Sequence, residues 1–266
     1  MGLIFDIPSA KLYESWCNSH GGKTMQSFLE KHLFELLDPQ AGERVLDIGC
    51  GTGSHLLLLN KLGLDISGID ASPYMLAKAR KRLGNRCTLK TGTAEDLPFA
   101  DNEFDIVVLI NTLEFMDNPL KVLREAGRVA KRKVFIGVIN SFSIYYIYSR
   151  LLALYRKSIM NHIKAYSLWE LKYLLKTAYG ETPIEWRSSQ INPVLFQKVS
   201  NLISDAWDTK QFPFGSFLGI SATIKYRYKT DNLPLKARMK KTEQSVASGI
   251  SSTYSSSDQE KTISGY

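Results

Sequence analysis

Cysteine is scarce in this chain, and the three that occur follow neither a metal-ligand nor a disulfide spacing: Cys17, Cys50 and Cys87. This scatter predicts free thiols in a reducing compartment, excludes a disulfide-stapled scaffold, and gives no metal site. The residues from Met1 to Asp6 lack the basic start and sustained apolar run of a secretory signal. We therefore expect a cytoplasmic protein.

An uninterrupted apolar run of membrane-spanning length is also missing. The longest candidate, residues 134–155, is broken by Asn140, three serines, several tyrosines and Arg150. Its first part, 134–139, fits a buried strand better. The 266 residues are 44% hydrophobic and 23% charged with a net charge of +8, which is an ordinary composition for a globular α/β domain with additions.

The most informative feature is a glycine-dense turn that follows an apolar strand. Residues 45–53 read Val-Leu-Asp-Ile-Gly-Cys-Gly-Thr-Gly, and a second apolar pattern begins at Leu56. A strand, a tight turn and a helix N-terminus in this order bring backbone amides close to a nucleotide-like ligand. Glycine is needed because a Cβ would obstruct both the positive-φ turn and the approach of the ligand.

Two classes of cofactor share this layout. Asp70 ends the next predicted strand, about twenty residues past the glycines, where a carboxylate can accept hydrogen bonds from ribose hydroxyls. A dinucleotide turn follows Gly-x-Gly-x-x-Gly, but the third glycine position counted from Gly49 is Ser54. Asp47 precedes the turn, where its charge would repel a pyrophosphate and attract an amino group or a sulfonium. The spacing therefore favours S-adenosylmethionine over NAD.

Four motifs in order resemble the class I S-adenosylmethionine-dependent methyltransferases. The resemblance is to the small-molecule group (methyltransferase type 11) that includes the ubiquinone and menaquinone biosynthesis methyltransferases. It covers roughly residues 40–140 and is carried by four segments: Val45–Gly53, Gly68–Leu76, Thr93–Phe99 and Asp101–Val108. It implies a Rossmann-like α/β fold with a mostly parallel seven-stranded sheet, an antiparallel final strand and flanking helices.

The apolar periodicities predict the same alternation of elements. Predicted strands lie at 44–48, 65–70, 86–91, 105–111, 133–139, 184–188 and 217–228. Predicted helices lie at 54–62, 73–83, 119–130, 143–157 and 167–176, the last with a Ser167–Glu170 capping box. Two more are expected over 9–37, with Ser9 as N-cap and a break at Gly21-Gly22.

These elements predict three regions. Residues 1–40 form a helical cover, and 41–230 form the methyltransferase domain, with a cap and an insertion at about 141–166 and 190–216. The serine-rich tail, 231–266, is predicted to be disordered because it has little apolar content.

The resemblance implies which residues bind the cofactor. The methionine end is assigned to the turn and the acid before it: Asp47, Gly49, Cys50, Gly51 and Gly53. The ribose is assigned to Asp70, and Asn111 ends the fourth strand beside the methyl group. The adenine edge is assigned to Ala71, Met75, Thr93, Ala94 and Glu95.

No catalytic residue is assigned. Methyl transfer is an in-line displacement with a good leaving group, so a base is needed only when the acceptor must lose a proton. The candidates for that role are His20, Tyr13 and Glu114. His55, at the start of the cofactor helix, is interpreted as a surface or capping residue.

The sequence favours a small-molecule acceptor over a nucleic acid. After the fourth strand it reads Asn111-Thr-Leu-Glu-Phe115, without the Asn/Asp-Pro-Pro-aromatic pattern of enzymes that methylate base amines. The basic clusters at 78–82 and 131–133 are interpreted as solvated ends of elements, and no nucleic-acid module is visible.

Residues 142–157 are aromatic and aliphatic with a basic end. This pattern suits an apolar substrate cap, a peripheral membrane contact or a lid helix packed on the core. The leading hypothesis is methyl transfer to a small, apolar or aromatic acceptor. The alternatives are an RNA or protein methyltransferase and a non-catalytic cofactor-binding subunit. Neither the acceptor atom nor the oligomeric state follows from the sequence.

Overall fold

A seven-stranded sheet with the strand order β3-β2-β1-β4-β5-β7-β6 organises the chain. The structure is a computed structural model that describes residues 4–155, 158–189 and 212–224. The strands are β1 Arg44–Ile48, β2 Asp65–Asp70, β3 Cys87–Thr91, β4 Phe104–Ile110, β5 Ala130–Ile139, β6 Ile184–Ser189 and β7 Phe217–Thr223. The helices are α1 Ile7–Asn18, α2 His20–Leu37, α3 Ser54–Lys61, α4 Pro73–Leu83, α5 Pro119–Val129, α6 Ile144–Ala153 and α7 Leu168–Tyr179.

The direction of the strands confirms the predicted fold class. β1, β2, β3, β4 and β5 pair in parallel, whereas β7 is antiparallel to both β5 and β6. The chain reverses its progress through the sheet between β1 and β4. Ligands of open α/β sheets bind beyond the carboxyl ends of the strands at such a reversal.

Apolar side chains fill both faces of the sheet. One cluster joins Leu33 of α2, Leu56 of α3 and Leu76 of α4 to β1 residues such as Val45. The other cluster joins Val122 of α5 and Leu171 of α7 to Leu46 of β1. Val45 and Leu46 belong to different clusters because successive side chains of a strand point to opposite faces.

The N-terminal helices differ from the prediction at two points. Asp6, not Ser9, caps α1, and its carboxylate accepts a hydrogen bond from the Ser9 amide at 2.9 Å. The break between the helices falls at Ser19, so Gly21 and Gly22 lie in the first turn of α2. These glycines serve close packing: a Cβ at Gly22 would lie 2.6 Å from the Cys17 backbone.

Most of the remaining elements match their predicted positions to within three residues, and the capping box of α7 is confirmed. The exceptions are α6, which ends four residues before its predicted end, and β7, which ends at Thr223; the predicted strand residues 225–228 lie outside the described residues. The cap segment at 141–166 contains α6 and a short 3-10 helix, Ile159–Asn161. The tail at 231–266 and most of the insertion at 190–216 lie outside the described residues, so the domain limits stay a prediction. Within the described ranges, no helix is both long enough and apolar enough to cross a membrane.

Candidate functional site

A cavity of about 730 Å³ opens at the carboxyl ends of β1 and β2. Its wall combines the glycine turn with residues of α1, α2 and α4, including Tyr13, Met25 and Met75. A smaller cavity of about 60 Å³ adjoins it and is lined by mainly apolar residues, among them Ala71, Ala94 and Phe115. Four residues line both cavities: Phe5, Gly49, Asp70 and Asn111.

The turn after β1 needs its glycines for two different reasons. Gly49, Gly51 and Gly53 have φ values of +71°, +52° and +75°, in the left-handed region that other residues rarely adopt. A Cβ at Gly49 would lie 2.5 Å from the Thr112 side chain, whereas a Cβ at Gly51 would meet nothing within 4 Å. Gly49 therefore permits close packing, and Gly51 leaves open space for a ligand.

Thr112 supports the turn, a role that the sequence pattern did not indicate. Its buried hydroxyl donates a hydrogen bond to the Ile48 carbonyl at 2.9 Å. The two residues are far apart in the chain and come together because β1 and β4 are neighbours in the sheet. The only local signal is the position of Thr112 directly after Asn111.

Asp70 is held in one orientation at the wall of the cavity. Its two carboxylate oxygens accept hydrogen bonds from the backbone amides of Gly51 and Ser72, each at 2.8 Å. Burial raises the pKa of Asp70, and the two amides oppose that rise. Each oxygen can still accept another hydrogen bond, so the carboxylate can hold a vicinal diol such as a ribose.

Asn111, which lines both cavities, and Asp47, which lines neither, carry buried acceptors that lack partners among the described residues. Neither carboxylate oxygen of Asp47 is hydrogen-bonded, and the Asn111 side-chain carbonyl is equally unpaired. Burial, and then the charge of Asp70, raise the pKa of Asp47 well above its usual value. Buried polar groups without partners are costly. A ligand with an ammonium group or other donors would satisfy them, and S-adenosylmethionine carries such a group.

The other predicted cofactor residues divide into three groups. Ala71 and Ala94 line the small cavity, and Cys50 and Met75 line the large one. Gly53 caps α3 and packs against α4. Thr93 and Glu95 stand in neither wall, although one carboxylate oxygen of Glu95 is buried without a partner. Their binding roles stay predictions.

The three catalytic candidates lie in different environments. Tyr13 is in the cavity wall, where burial raises its pKa well above the usual value. It is therefore a neutral hydrogen-bonding group at physiological pH. His20 is exposed at the start of α2 and outside the cavity wall. Glu114 is buried and lines neither cavity, and its carboxylate accepts a hydrogen bond from the Ile139 amide at 3.0 Å.

His55 lies in the wall of the large cavity, so its interpretation as a surface or capping residue is wrong. It shares the buried face of α3 with Leu59, one helical turn away. Burial, and then the nearby charge of Arg82, lower the pKa of His55 to about 4. The imidazole is therefore neutral at physiological pH.

The basic clusters are structural rather than merely solvated. Arg82 lines the cavity and donates hydrogen bonds to the Thr52 carbonyl at 3.1 Å and hydroxyl at 2.9 Å, and Lys78 pairs with Glu14. In the second cluster, Arg132 pairs with Glu43 at 2.7 Å and also binds carbonyls at the end of α2, as does Lys133. Both clusters join elements that are distant in sequence, which composition alone could not reveal.

None of the described residues at 142–155 lines either cavity. Ala153 is the one fully buried residue described in α6, and Tyr146 packs against the core while partly exposed. The roles of this segment as a substrate cap or a lid stay predictions.

Glu114 predicts a pH dependence of stability. Burial raises its pKa from 4.5 to about 8, so between these values the folded protein keeps a proton that the unfolded chain loses. Stability therefore falls as pH rises through this window, by at most roughly 1.4 kcal/mol per pH unit. Glu114→Gln keeps an acceptor for the Ile139 amide but cannot ionise. We expect it to gain stability over the wild type as pH rises, with a constant difference above pH 8.

Urea denaturation at a series of pH values measures this difference. Glu181→Gln is the matched control because its carboxylate is exposed at the surface. A difference between Glu114→Gln and the wild type that does not change with pH would contradict the burial of an ionisable carboxyl there.

Comparison with known proteins assigns residues around the cavity to a protein family. Residues 46–136 match the family model described as a methyltransferase domain. This range holds the glycine turn, Asp47, Asp70 and Asn111. These residues are a class I methyltransferase domain. The methyltransferase domain uses S-adenosylmethionine, whose ammonium group and other donors suit the unpaired acceptors of Asp47 and Asn111.

Two curated relatives are similar over part of their length. An uncharacterised protein of Methanocaldococcus jannaschii is 42% identical over 142 residues, which are 52% of this chain and 62% of that protein. A demethylmenaquinone methyltransferase of Tropheryma whipplei is 38% identical over 102 residues, 36% of this chain and 41% of that enzyme. The chain thus spans less than two thirds of the length of these relatives.

One solved structure shares the fold over most of the chain. It is an S-adenosylmethionine-dependent methyltransferase of Thermotoga maritima, described as a possible histamine N-methyltransferase. The TM-score is 0.63 at 24% identity, and the match covers 82% of this chain and 97% of that one. The predicted family resemblance and the Rossmann-like fold of the methyltransferase domain are confirmed.

Proposed function

We propose that this protein transfers a methyl group from S-adenosylmethionine to a small, apolar or aromatic acceptor. The observation that carries the proposal is Asp70, which two backbone amides hold at 2.8 Å in the wall of a cavity of about 730 Å³. That volume lies within the range of small-molecule sites. It has room for the cofactor and a small acceptor together.

Different residues are proposed to bind different parts of the cofactor. Asp70 accepts the ribose hydroxyls, and the unpaired oxygens of Asp47 and Asn111 are proposed to accept hydrogen bonds from the methionine end. The apolar wall of the small cavity, with Ala71 and Ala94, borders one edge of the adenine. Bound S-adenosylmethionine supplies a methyl group already activated on its sulfonium.

The acceptor is proposed to lie on the side of α1 and α2. Tyr13 and Met25 give that wall an apolar and aromatic surface, and Lys23 and Gln26 add polar groups. Because Tyr13 is neutral, it orients an acceptor by hydrogen bonding rather than as a base. The demethylmenaquinone methyltransferase among the relatives is named for an acceptor of this apolar class.

A methyl-labelled cofactor tests the proposal. The protein is incubated with labelled S-adenosylmethionine and a source-cell extract, which is then separated into small-molecule, lipid, RNA and protein fractions. An Asp47→Ala/Asp70→Ala variant provides the blank. We expect label in the small-molecule or lipid fraction. Label confined to RNA or protein would favour a macromolecular methyltransferase, and no label above the blank would favour a non-catalytic cofactor-binding subunit.

A further inference from the structure

The apolar side chains of α6 face solvent. Ile144, Ile147, Leu151 and Leu154 follow one another at intervals of three and four residues and are 69%, 52%, 57% and 72% exposed. This spacing places them on one side of the helix. A solvent-facing stripe of four large aliphatic residues is unusual for a globular domain and marks an interaction surface.

Three aromatic rings extend this stripe across neighbouring elements. Phe142 precedes α6, and its ring centroid lies 5.9 Å from that of Trp169 in α7. The Trp169 centroid in turn lies 6.0 Å from that of Phe214. All three are about half exposed. The rings and the stripe make up one surface, here named the α6 face: Phe142, Ile144, Ile147, Leu151, Leu154, Trp169 and Phe214.

The charge around the α6 face indicates what covers it. Among the described residues of 141–179, four are Lys or Arg (Arg150, Lys164, Lys172 and Lys176) and one is acidic, Glu170. The Glu170 carboxylate is engaged in the cap of α7, where it accepts from the Ser167 amide at 2.7 Å. A second copy of the chain would bring the same positive charge against this region. An anionic lipid surface supplies the opposite charge together with an apolar phase.

We propose that the α6 face docks the protein on the surface of an anionic lipid bilayer. The ten residues of α6 rise about 15 Å, half the thickness of a bilayer core, so the helix would lie in the plane of the interface. Its aliphatic residues enter the acyl region. Trp169 and Tyr148, the exposed tyrosine of α6, sit at headgroup depth, as aromatic residues do in membrane-bound proteins.

Tyr145 connects α6 to the wall of the large cavity. Its hydroxyl accepts a hydrogen bond from the Trp16 indole at 3.2 Å, and a Cβ at Gly21 would overlap that hydroxyl. Cys17 and Gly22, the chain neighbours of Trp16 and Gly21, line the cavity. Docking therefore places α6 between the bilayer and the α1–α2 wall. That the acceptor comes from the lipid phase rests on the proposed function, whereas the docking itself does not.

Vesicle sedimentation of the full chain, without any methyl donor, tests the docking. The vesicles are phosphatidylcholine alone or with about 30% phosphatidylglycerol, and salt is varied from about 0.1 M upward to screen the charges. We expect binding to the anionic vesicles that weakens with salt. Ile147→Glu/Leu151→Glu should lower the apparent affinity at least about tenfold, because two carboxylates would have to enter the apolar layer.

The matched control is Phe34→Glu, which places a charge on a residue of α2 with the same half exposure outside the α6 face. It should bind vesicles like the wild type, and thermal unfolding should show that every variant is folded. Wild-type protein that stays in the supernatant with anionic vesicles would overturn the proposal, as would an equal loss in Phe34→Glu. Light scattering that finds a dimer broken by the double variant would reassign the face to self-association.

Discussion

Asp70→Ala is expected to weaken the binding of S-adenosylmethionine by about a hundredfold or more. The carboxylate is placed to accept hydrogen bonds from two ribose hydroxyls, and each charge-assisted bond contributes roughly 1.5–3 kcal/mol. Isothermal titration calorimetry with the cofactor measures the loss directly. An unchanged affinity would refute the assignment of Asp70 to the ribose.

The control for this variant must separate binding from folding, because Asp70 also accepts hydrogen bonds from the amides of Gly51 and Ser72. Asp65→Ala removes an exposed carboxylate from the opposite end of the same strand, and its affinity should equal that of the wild type. Thermal unfolding of both variants shows how much stability each has lost. A lower melting temperature with unchanged affinity would make Asp70 a structural residue only.

Gly49→Ala is expected to impair both stability and cofactor binding. The substitution places a Cβ at φ +71° and 2.5 Å from the Thr112 side chain, so the turn must move. The left-handed backbone alone costs about 1–2 kcal/mol, and the overlap adds to that cost. We expect a loss of about 2 kcal/mol or more in urea denaturation, and cofactor affinity reduced beyond calorimetric detection.

Gly63→Ala is the matched control because it adds a Cβ at φ +77°, where the nearest atom is 3.8 Å away. Gly63→Ala should lower the free energy of unfolding only by the cost of the left-handed backbone and should leave cofactor affinity unchanged. Thr112→Ala removes the atoms that collide with the new Cβ, so in combination with Gly49→Ala it should restore part of the stability. Equal effects of the two glycine variants would show that backbone conformation, not packing on Thr112, decides the shape of the turn.

The sequence was sufficient to predict those features that depend on residues close together in the chain. The glycine turn and the position of Asp70 follow from spacing along the chain, because a strand, a turn and a helix in succession have few possible geometries. The same holds for the capping box of α7, whose two residues lie one helical turn apart. The order of the alternating elements was also enough for the parallel sheet, since few topologies satisfy that alternation.

Tertiary structure decided what depends on contacts between distant segments. The support of the turn by Thr112, the burial of His55 and the role of Arg82 at the cavity arise only when β1, β4, α3 and α4 are brought together. The exposure of α6 is a further example, because its apolar pattern is equally compatible with a core helix, a cap or a surface helix. Periodicity shows which side chains share a face, but the partner of that face is set by long-range packing.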